Sequence, residues 1–328
     1  MIATIRLSRS TGMFVLAQML VCSFLWANSF LLIKLIGSDV PPLTLTAIRG
    51  AMGALLIAAW LGARGRSILP RGREWRDWAV LGALQGWIPN TLTAYALSEI
   101  SAALSSMIQA CAPLIVAVLA HLLFDEERLS RPRAIGVLTA FGGIGVLIGA
   151  DAVSGGQGSL AGILAMVVTA VSYALGSLYV RSIPKADPAR LALGQQAFSG
   201  LPALILVLVL DGGAALTVIP SHFGALAALG IFATALPILL FMNILRTAGP
   251  TLGSMNGYLT PIWTALLGTC LLNESIQPRE AIGGSIALAG LLIVAMTKRS
   301  GSKMPSSAAR SHSDEMPHGL FSQLRPSL

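Results

Sequence analysis

Residues 286–296 read IALAGLLIVAM and residues 203–210 read ALILVLVL. A strand of a membrane barrel would alternate apolar and polar side chains. These runs are continuous, so they read as helices whose backbone groups are satisfied within the segment. Outward from them the picture is the same. The 328 residues are 55% hydrophobic and 11% charged, against about 25% charged in an average soluble domain. So few charges cannot cover a soluble surface, and so many apolar residues exclude disorder for the bulk of the chain. What remains is an all-α polytopic membrane protein.

Ten apolar stretches of about the length needed to cross the hydrocarbon lie near 13–36, 42–62, 77–97, 101–124, 132–150, 160–182, 189–210, 222–246, 250–272 and 279–297. Only Ser98, Glu99, Ile100 and Ser101 divide the third from the fourth, which requires a tight turn. The first stretch is too long for a cleaved signal and no small-residue cleavage site follows it. The Ser- and Pro-rich segment 300–328 reads as a disordered cytoplasmic tail. With the N-terminus cytoplasmic, nineteen of the 22 Lys and Arg residues fall on the inner side. Lys34 and Arg49 lie within spans and only Arg279 lies outside. The net charge of +8 is thus a topology signal and not a nucleic-acid surface.

The chain repeats itself. A shift of 148 residues lays Pro89 on Pro237, Ser106 on Ser254, Met107 on Met255, Pro113 on Pro261, Glu126 on Glu274, Gly136 on Gly284 and Gly142 on Gly290. Near the start the shift is 147, and Trp26 with Lys34 matches Tyr173 with Arg181. Each half holds five spans, an odd number, so the second half enters the membrane from the opposite side. The expected units are 1–150 and 151–299, two inverted five-helix repeats giving ten transmembrane helices. Inverted repeats of this kind belong to transporters, where exchange between equivalent halves opens a midplane site to each side in turn.

Several stretches resemble the EamA-type branch of the drug/metabolite transporter superfamily. They are WANSFxxIK at 26–34, PPxTLTAIR at 41–49, SAALSSMxxxxxP at 101–113 with DEERL at 125–129, and LGSMxxxxxP at 252–261 with Asn273-Glu274. The resemblance covers 13–297. It implies ten helices around a central cavity lined by spans one, three, four, six, eight and nine, and efflux of an amino acid, metabolite or drug. The second half departs from the first in having Tyr173 for Trp26, and Asn273-Glu274 where the first has Asp125-Glu126-Glu127-Arg128.

Polar and aromatic side chains on those six spans are the cavity candidates, since a binding site needs a few oriented polar groups among apolar walls. They are Trp26, Asn28, Gln85, Trp87, Asn90, Tyr95, Gln109, Tyr173, Asn243, Asn256, Tyr258 and Trp263. The alternative for each is an interhelical hydrogen bond, worth about 0.6 kcal/mol on average. Lys34 and Arg49 are candidate anion contacts, with snorkelling to the interface as the alternative. A centred arginine costs about 2.5–3.5 kcal/mol on the insertion scale. Pro89, Pro113, Pro237 and Pro261 read as matched helix kinks. Gly249, Gly253 and Gly257, and Gly145 with Gly149, form GxxxG faces suited to packing between repeats or to a homodimer.

The three cysteines, Cys22, Cys111 and Cys270, make no CxxC pair and read as packing residues. The sequence holds no metal cluster, catalytic triad or phosphate loop, so neither a cofactor nor an enzymatic role is expected. No Asp or Glu lies deep in a span, and His121 near the end of span four is the one mid-span titratable group. The expected protein is a secondary carrier in the inner or plasma membrane with both termini cytoplasmic, and the resemblance favours export. Its partners are a small-molecule substrate and the lipid bilayer. A non-transporting sensor or assembly partner and a membrane-embedded lipid-modifying enzyme are the rival readings.

Overall fold

The computed structural model describes residues 9–123, 130–148, 159–183 and 186–296, and among these residues the regular structure is entirely helical. The first half contains α1 (Arg9–Ile36), α2 (Pro42–Gly62), α3 (Glu74–Gly82), α4 (Ile88–Glu99), α5 (Ala102–Gln109), α6 (Ala112–Leu123) and α7 (Arg131–Ile148). The second contains α8 (Leu160–Arg181), α9 (Pro188–Asp211), α10 (Ile219–Gly230), α11 (Leu236–Leu272) and α12 (Pro278–Met296). Six helical stretches are long and apolar enough to cross a membrane on composition alone.

Local chemistry sets the ends. Pro42 and Pro188 open α2 and α9, where the missing N–H costs nothing. Ser101, Ser159 and Asp187 cap α5, α8 and α9 by accepting from the N–H of Leu104, Gly162 and Ala189. Asn273 ends α11 in the left-handed conformation at φ 53°.

A short π-helical segment joins α3 to α4 (Ala83–Trp87), and a second joins α10 to α11 (Ile231–Ala235). One repeat shift carries the first onto the second at both ends. Gly86, at φ −121° and ψ −106°, is where the first leaves helical geometry. Pro89 and Pro237 follow as the second residue of α4 and α11.

The second pair of expected kinks differs between the halves. Pro113 does not kink a continuous helix. It is the second residue of α6, after a break at Ala110–Cys111. Pro261 lies inside α11 with no break in the helix beside it, so the local backbone at these prolines differs between the halves.

The expected turn at 246–250 is also helical in its backbone, within the 37 residues of α11. Even so, Cys22 Sγ donates to the Pro237 carbonyl at 3.3 Å and accepts from Asn256 Nδ2 at 3.4 Å. Two partners of one sulfur lie within about 7 Å of each other, whereas nineteen residues of straight helix would separate them by roughly 28 Å. The α11 run therefore doubles back between Pro237 and Asn256.

Helix pairing follows an exchange pattern. The second helix of one half packs on its counterpart, α2 on α9, and the last helices pair likewise, α7 on α12. The others cross over, α1 against α11 and α4 against α8. Close approach depends on small residues. A Cβ on Gly50 would lie 2.4 Å from the Gly200 backbone N. On α7 and α12, Gly136 meets the Gly290 carbonyl and Gly143 meets Gly283 and Ala287, each at a distance no Cβ tolerates. These contacts pair Gly136 with Gly283 and Gly143 with Gly290 as equivalents, at a shift of 147. That corrects the register of 148 read from sequence for this span.

Gly145 and Gly257 have open space beside them, so they do not pack the repeats together. Gly149, the acidic run 125–128 and the 300–328 tail lie outside the described residues, as do the side chains of Arg181, Ser254 and Met255 and the surroundings of Gly249 and Gly253.

Candidate functional site

A proline N–H is missing by construction, so the carbonyl four residues earlier loses its helical donor. For Pro89 that carbonyl belongs to Gln85, and Gln195 Nε2 on α9 supplies the bond at 2.9 Å. Ser172 Oγ on α8 donates to the Leu84 carbonyl at 2.7 Å, and Thr169 Oγ1 donates to the Pro89 carbonyl at 3.4 Å. Three side chains of the second half thus clasp the first π segment, satisfying backbone groups that lipid could not.

Asn90 extends this polar nest. Its Nδ2 donates to Ser199 Oγ at 3.4 Å, and its Oδ1 accepts from the Tyr173 hydroxyl at 3.5 Å. Gln85 Nε2 reaches Ser177 Oγ at 3.3 Å.

The second π segment is clasped from the first half. Thr234 Oγ1 donates to the Leu229 carbonyl at 2.9 Å, and accepts from Arg49 Nε at 2.8 Å. Cys22 donates to the Pro237 carbonyl, as Thr169 does to Pro89. Cys22 and Thr169 are themselves equivalent under the repeat, so one repeat position serves both prolines.

The expected cavity residues separate into groups. Gln85, Asn90 and Tyr173 meet in the nest at the first π segment. Asn256 is fully buried on Cys22 with its Oδ1 unpartnered. Asn243 donates to Gln18 at 3.2 Å. Trp26 stacks obliquely on Phe241 at 5.2 Å, and Trp263 meets Phe24 edge-on at 5.4 Å. Tyr258 packs against the Cys111, Val137 and Leu291 cluster. Trp87 closes the first π segment and Gln109 closes α5. Asn28 bonds back to its own helix at Phe24, and Tyr95 is exposed. Neither of these two joins the nest.

The apolar crevice between α5, α6, α11 and α12 holds about 10 Å³, lined by Cys111, Leu114, Pro261 and Leu288 among others. None of the polar candidates lines it. Of the cysteines, Cys111 is buried and donates within its own span to the Met107 carbonyl at 3.3 Å, Cys22 is buried and donates across to α11, and Cys270 is exposed.

Sequence reasoning missed Thr169, Ser172, Gln195, Ser199 and Thr234. Hydroxyls at the same helix depth as a partner's proline were the available signal.

Lys34 does not snorkel free. Its Nζ pairs with Glu274 at 2.8 Å, and the same carboxylate accepts from the Ala102 N–H at 3.1 Å. This ties the end of α1, the start of α5 and the segment after α11 together. Asp39 and His222 lie at the same end, 3.5 Å apart.

At the opposite end Arg190 holds Glu74 at 2.5 Å and the Leu69 carbonyl at 2.8 Å, while Arg66 pairs with Asp187. The hydrogen bond from Arg190, with help from the Arg71 N–H, holds the Glu74 carboxyl below the usual carboxylate range against a smaller opposing effect of burial.

The model of the EamA-like transporter family matches twice, over residues 13–149 and 160–296. The uncharacterized inner membrane transporter YedA of Escherichia coli is 24% identical over 277 residues, 84% of this chain and 88% of that one. A WAT1-related chloroplast protein of Arabidopsis thaliana is 27% identical over 83% of this chain and 67% of its own. A crystal structure 23% identical in sequence superposes with a TM-score of 0.63, covering 87% of this chain and 96% of the other. At that identity the likeness is one of fold. The chain belongs to the EamA-like transporter family and is an integral membrane protein.

Proposed function

We propose that this EamA-like transporter is a secondary carrier that exports a small organic solute by alternating access, built from two inverted five-helix repeats, 1–150 and 151–299. The observation that carries this reading is the recurrence, at the repeat spacing, of a π segment followed by a proline, each clasped by side chains of the other half. A helix broken at matched depths gives each half the same place to bend. Exchanged helix pairs give the two halves equivalent partners before and after the bend. The doubling back of α11 supports ten crossings, with both termini on the cytoplasmic side.

The basic segment 63–76 meets Asp187 and Arg190 at one end of the bundle, while Lys34, Glu274, Asp39 and His222 gather at the other. That division supports the orientation read from charge. The open faces of Gly145 and Gly257 are where a second copy would dock.

The test compares intracellular metabolites in cells with and without the protein, together with Pro89→Ala and Pro237→Ala. Both variants should reach the membrane normally and each should lower flux of the responsive solute at least tenfold. Wild-type flux in both would remove the bending role. No solute differing between the two cell lines would sink the carrier reading. A reporter fused after Lys298 or within 63–76 should be cytoplasmic, and finding either outside would overturn the orientation.

A further inference from the structure

Arg49 and Lys34 start from the same sequence reading, as cations placed within spans. The structure separates them. Lys34 is neutralised by Glu274. Arg49 has no carboxylate partner among the described residues.

Arg49 Nε is spent on Thr234, which is itself fixed by the Leu229 carbonyl. A guanidinium has five N–H donors in one plane, and the terminal amino groups of Arg49 carry no hydrogen bond to a described residue. The Tyr173 hydroxyl lies within its electrostatic reach, and Tyr173 bonds in turn to Asn90. The fork is therefore pinned at its inner nitrogen, between the second π segment and the nest at the first.

A second, independent observation lies beside it. Gln196 on α9 is 2% exposed and its Oε1 has no partner. A Cβ on Gly53 would touch both that oxygen, at 3.1 Å, and Thr234 Cγ2, at 3.2 Å. The unpaired acceptor and the pinned guanidinium thus share Thr234 as a neighbour. Buried polar groups left without partners are rare, and each calls for a reason.

We propose that Arg49 is the anion subsite of the carrier, taking the carboxylate of a monocarboxylate solute on its terminal amino groups, with Gln196 Oε1 accepting a donor from the same solute. This rests on the carrier reading given above. An arginine cannot discard its proton to escape the membrane interior, so its charge must be balanced. No side chain described here balances it, which leaves the solute. The planar fork fits a carboxylate in two parallel bonds. One cation balances one negative charge, so a phosphate dianion would bring an uncompensated charge into the bundle.

The test uses the purified full chain in detergent and follows its thermal unfolding midpoint. Acetate, benzoate and phenylalanine are each compared with the matching amide at equal concentration, with inorganic phosphate alongside. At least one carboxylate should raise the midpoint where its amide does not, and phosphate should not. Arg49→Gln should abolish the shift, and Arg49→Lys should weaken apparent affinity at least tenfold. If Arg49→Gln does not fold, the carboxylate-against-amide contrast in the wild type decides.

Equal shifts by acid and amide, a shift by phosphate alone, no shift by any carboxylate, or a shift retained in Arg49→Gln would each overturn the site. The two readings fail separately. Flux of an uncharged solute that ignores Arg49→Gln removes the subsite and keeps the carrier. Carboxylate binding without flux in liposomes keeps the subsite and removes the carrier.

Discussion

The two π segments have the same length and the same place in the repeat, and different surroundings. The first is held by Ser172, Thr169 and Gln195, with Asn90, Tyr173 and Ser199 around it. Carried across by the repeat shift, those positions fall on Leu25, Cys22, Ile48, Ile238, Trp26 and Met52. Only the thiol of Cys22 repeats a clasp, and a thiol is a weak donor. Arg49 and Thr234 supply what else there is. Segments at matched positions therefore need not be held symmetrically. Directional hydrogen bonds fix the first bend, while packing and one cation fix the second.

The largest effect should come from the axis on which the halves are compared. A Cβ at Gly200 would lie 2.5 Å from the Ala51 backbone N, so Gly200→Leu should prevent α2 and α9 from meeting. The expected outcome is loss of folded protein in fluorescence-detected size exclusion. A monodisperse Gly200→Leu would mean that α2 and α9 can separate without harm.

Next come the clasps themselves. Ser172→Ala and Thr169→Val each leave a carbonyl short of its donor, a cost of about 1–3 kcal/mol for a buried group. In an Asn256→Ala background, where the amide that Cys22 also serves is gone, Cys22→Ala at the equivalent place should cost less than about 1 kcal/mol by the same reckoning, because the lost donor is weak. Thermal unfolding of the three variants in one detergent measures the difference. Equal losses would erase the distinction between the two bends. Cys22→Thr sharpens it from the other side, since it places at the second bend the kind of donor that Thr169 supplies at the first, and it should be neutral or mildly stabilising.

The smallest effect concerns Glu74. Its carboxyl titrates lower when folded than when free, because Arg190 donates to the charged form. The stabilisation is complete at neutral pH. It begins to fade as pH falls through the ordinary carboxylate range, and it is gone below the depressed folded value. Glu74→Gln should therefore lower the neutral plateau of the unfolding midpoint by the small worth of one partly exposed pair, flatten the acid limb, and leave the midpoint unchanged below the depressed folded value. An unaltered acid limb would assign that limb to other carboxylates.

Hydropathy made the helical class legible, because continuous apolar runs in lipid leave the backbone few alternatives. Identities such as Pro89 and Pro237 placed the repeat, since a proline in a span leaves a carbonyl that must be answered elsewhere. The answering groups were not legible. Thr169 and Ser172 look like ordinary small residues until helix α8 is laid against α4, and a donor's partner depends on rotation about the helix axis. The backbone at Pro113 and Pro261 was not legible for a related reason. The proline ring forbids one hydrogen bond, but whether the helix breaks, bends or continues is decided by neighbours that differ between the halves. Lys34 was legible as a cation near an interface, whereas its partner Glu274 lies in the other half of the chain.

The glycine stripe joining α7 to α12 has a consequence in time. Helix α7 is complete at Ile148, and its partner begins at Pro278. At roughly 5–20 residues per second of synthesis, the intervening stretch of about 130 residues takes roughly 6–26 s. Throughout that interval the groove formed by Gly136, Ala140 and Gly143 has only lipid to fill it, since the surface that fits it has yet to be translated. The first half is thus released by the ribosome with one flank unsealed, and the nineteen residues of α12 seal it.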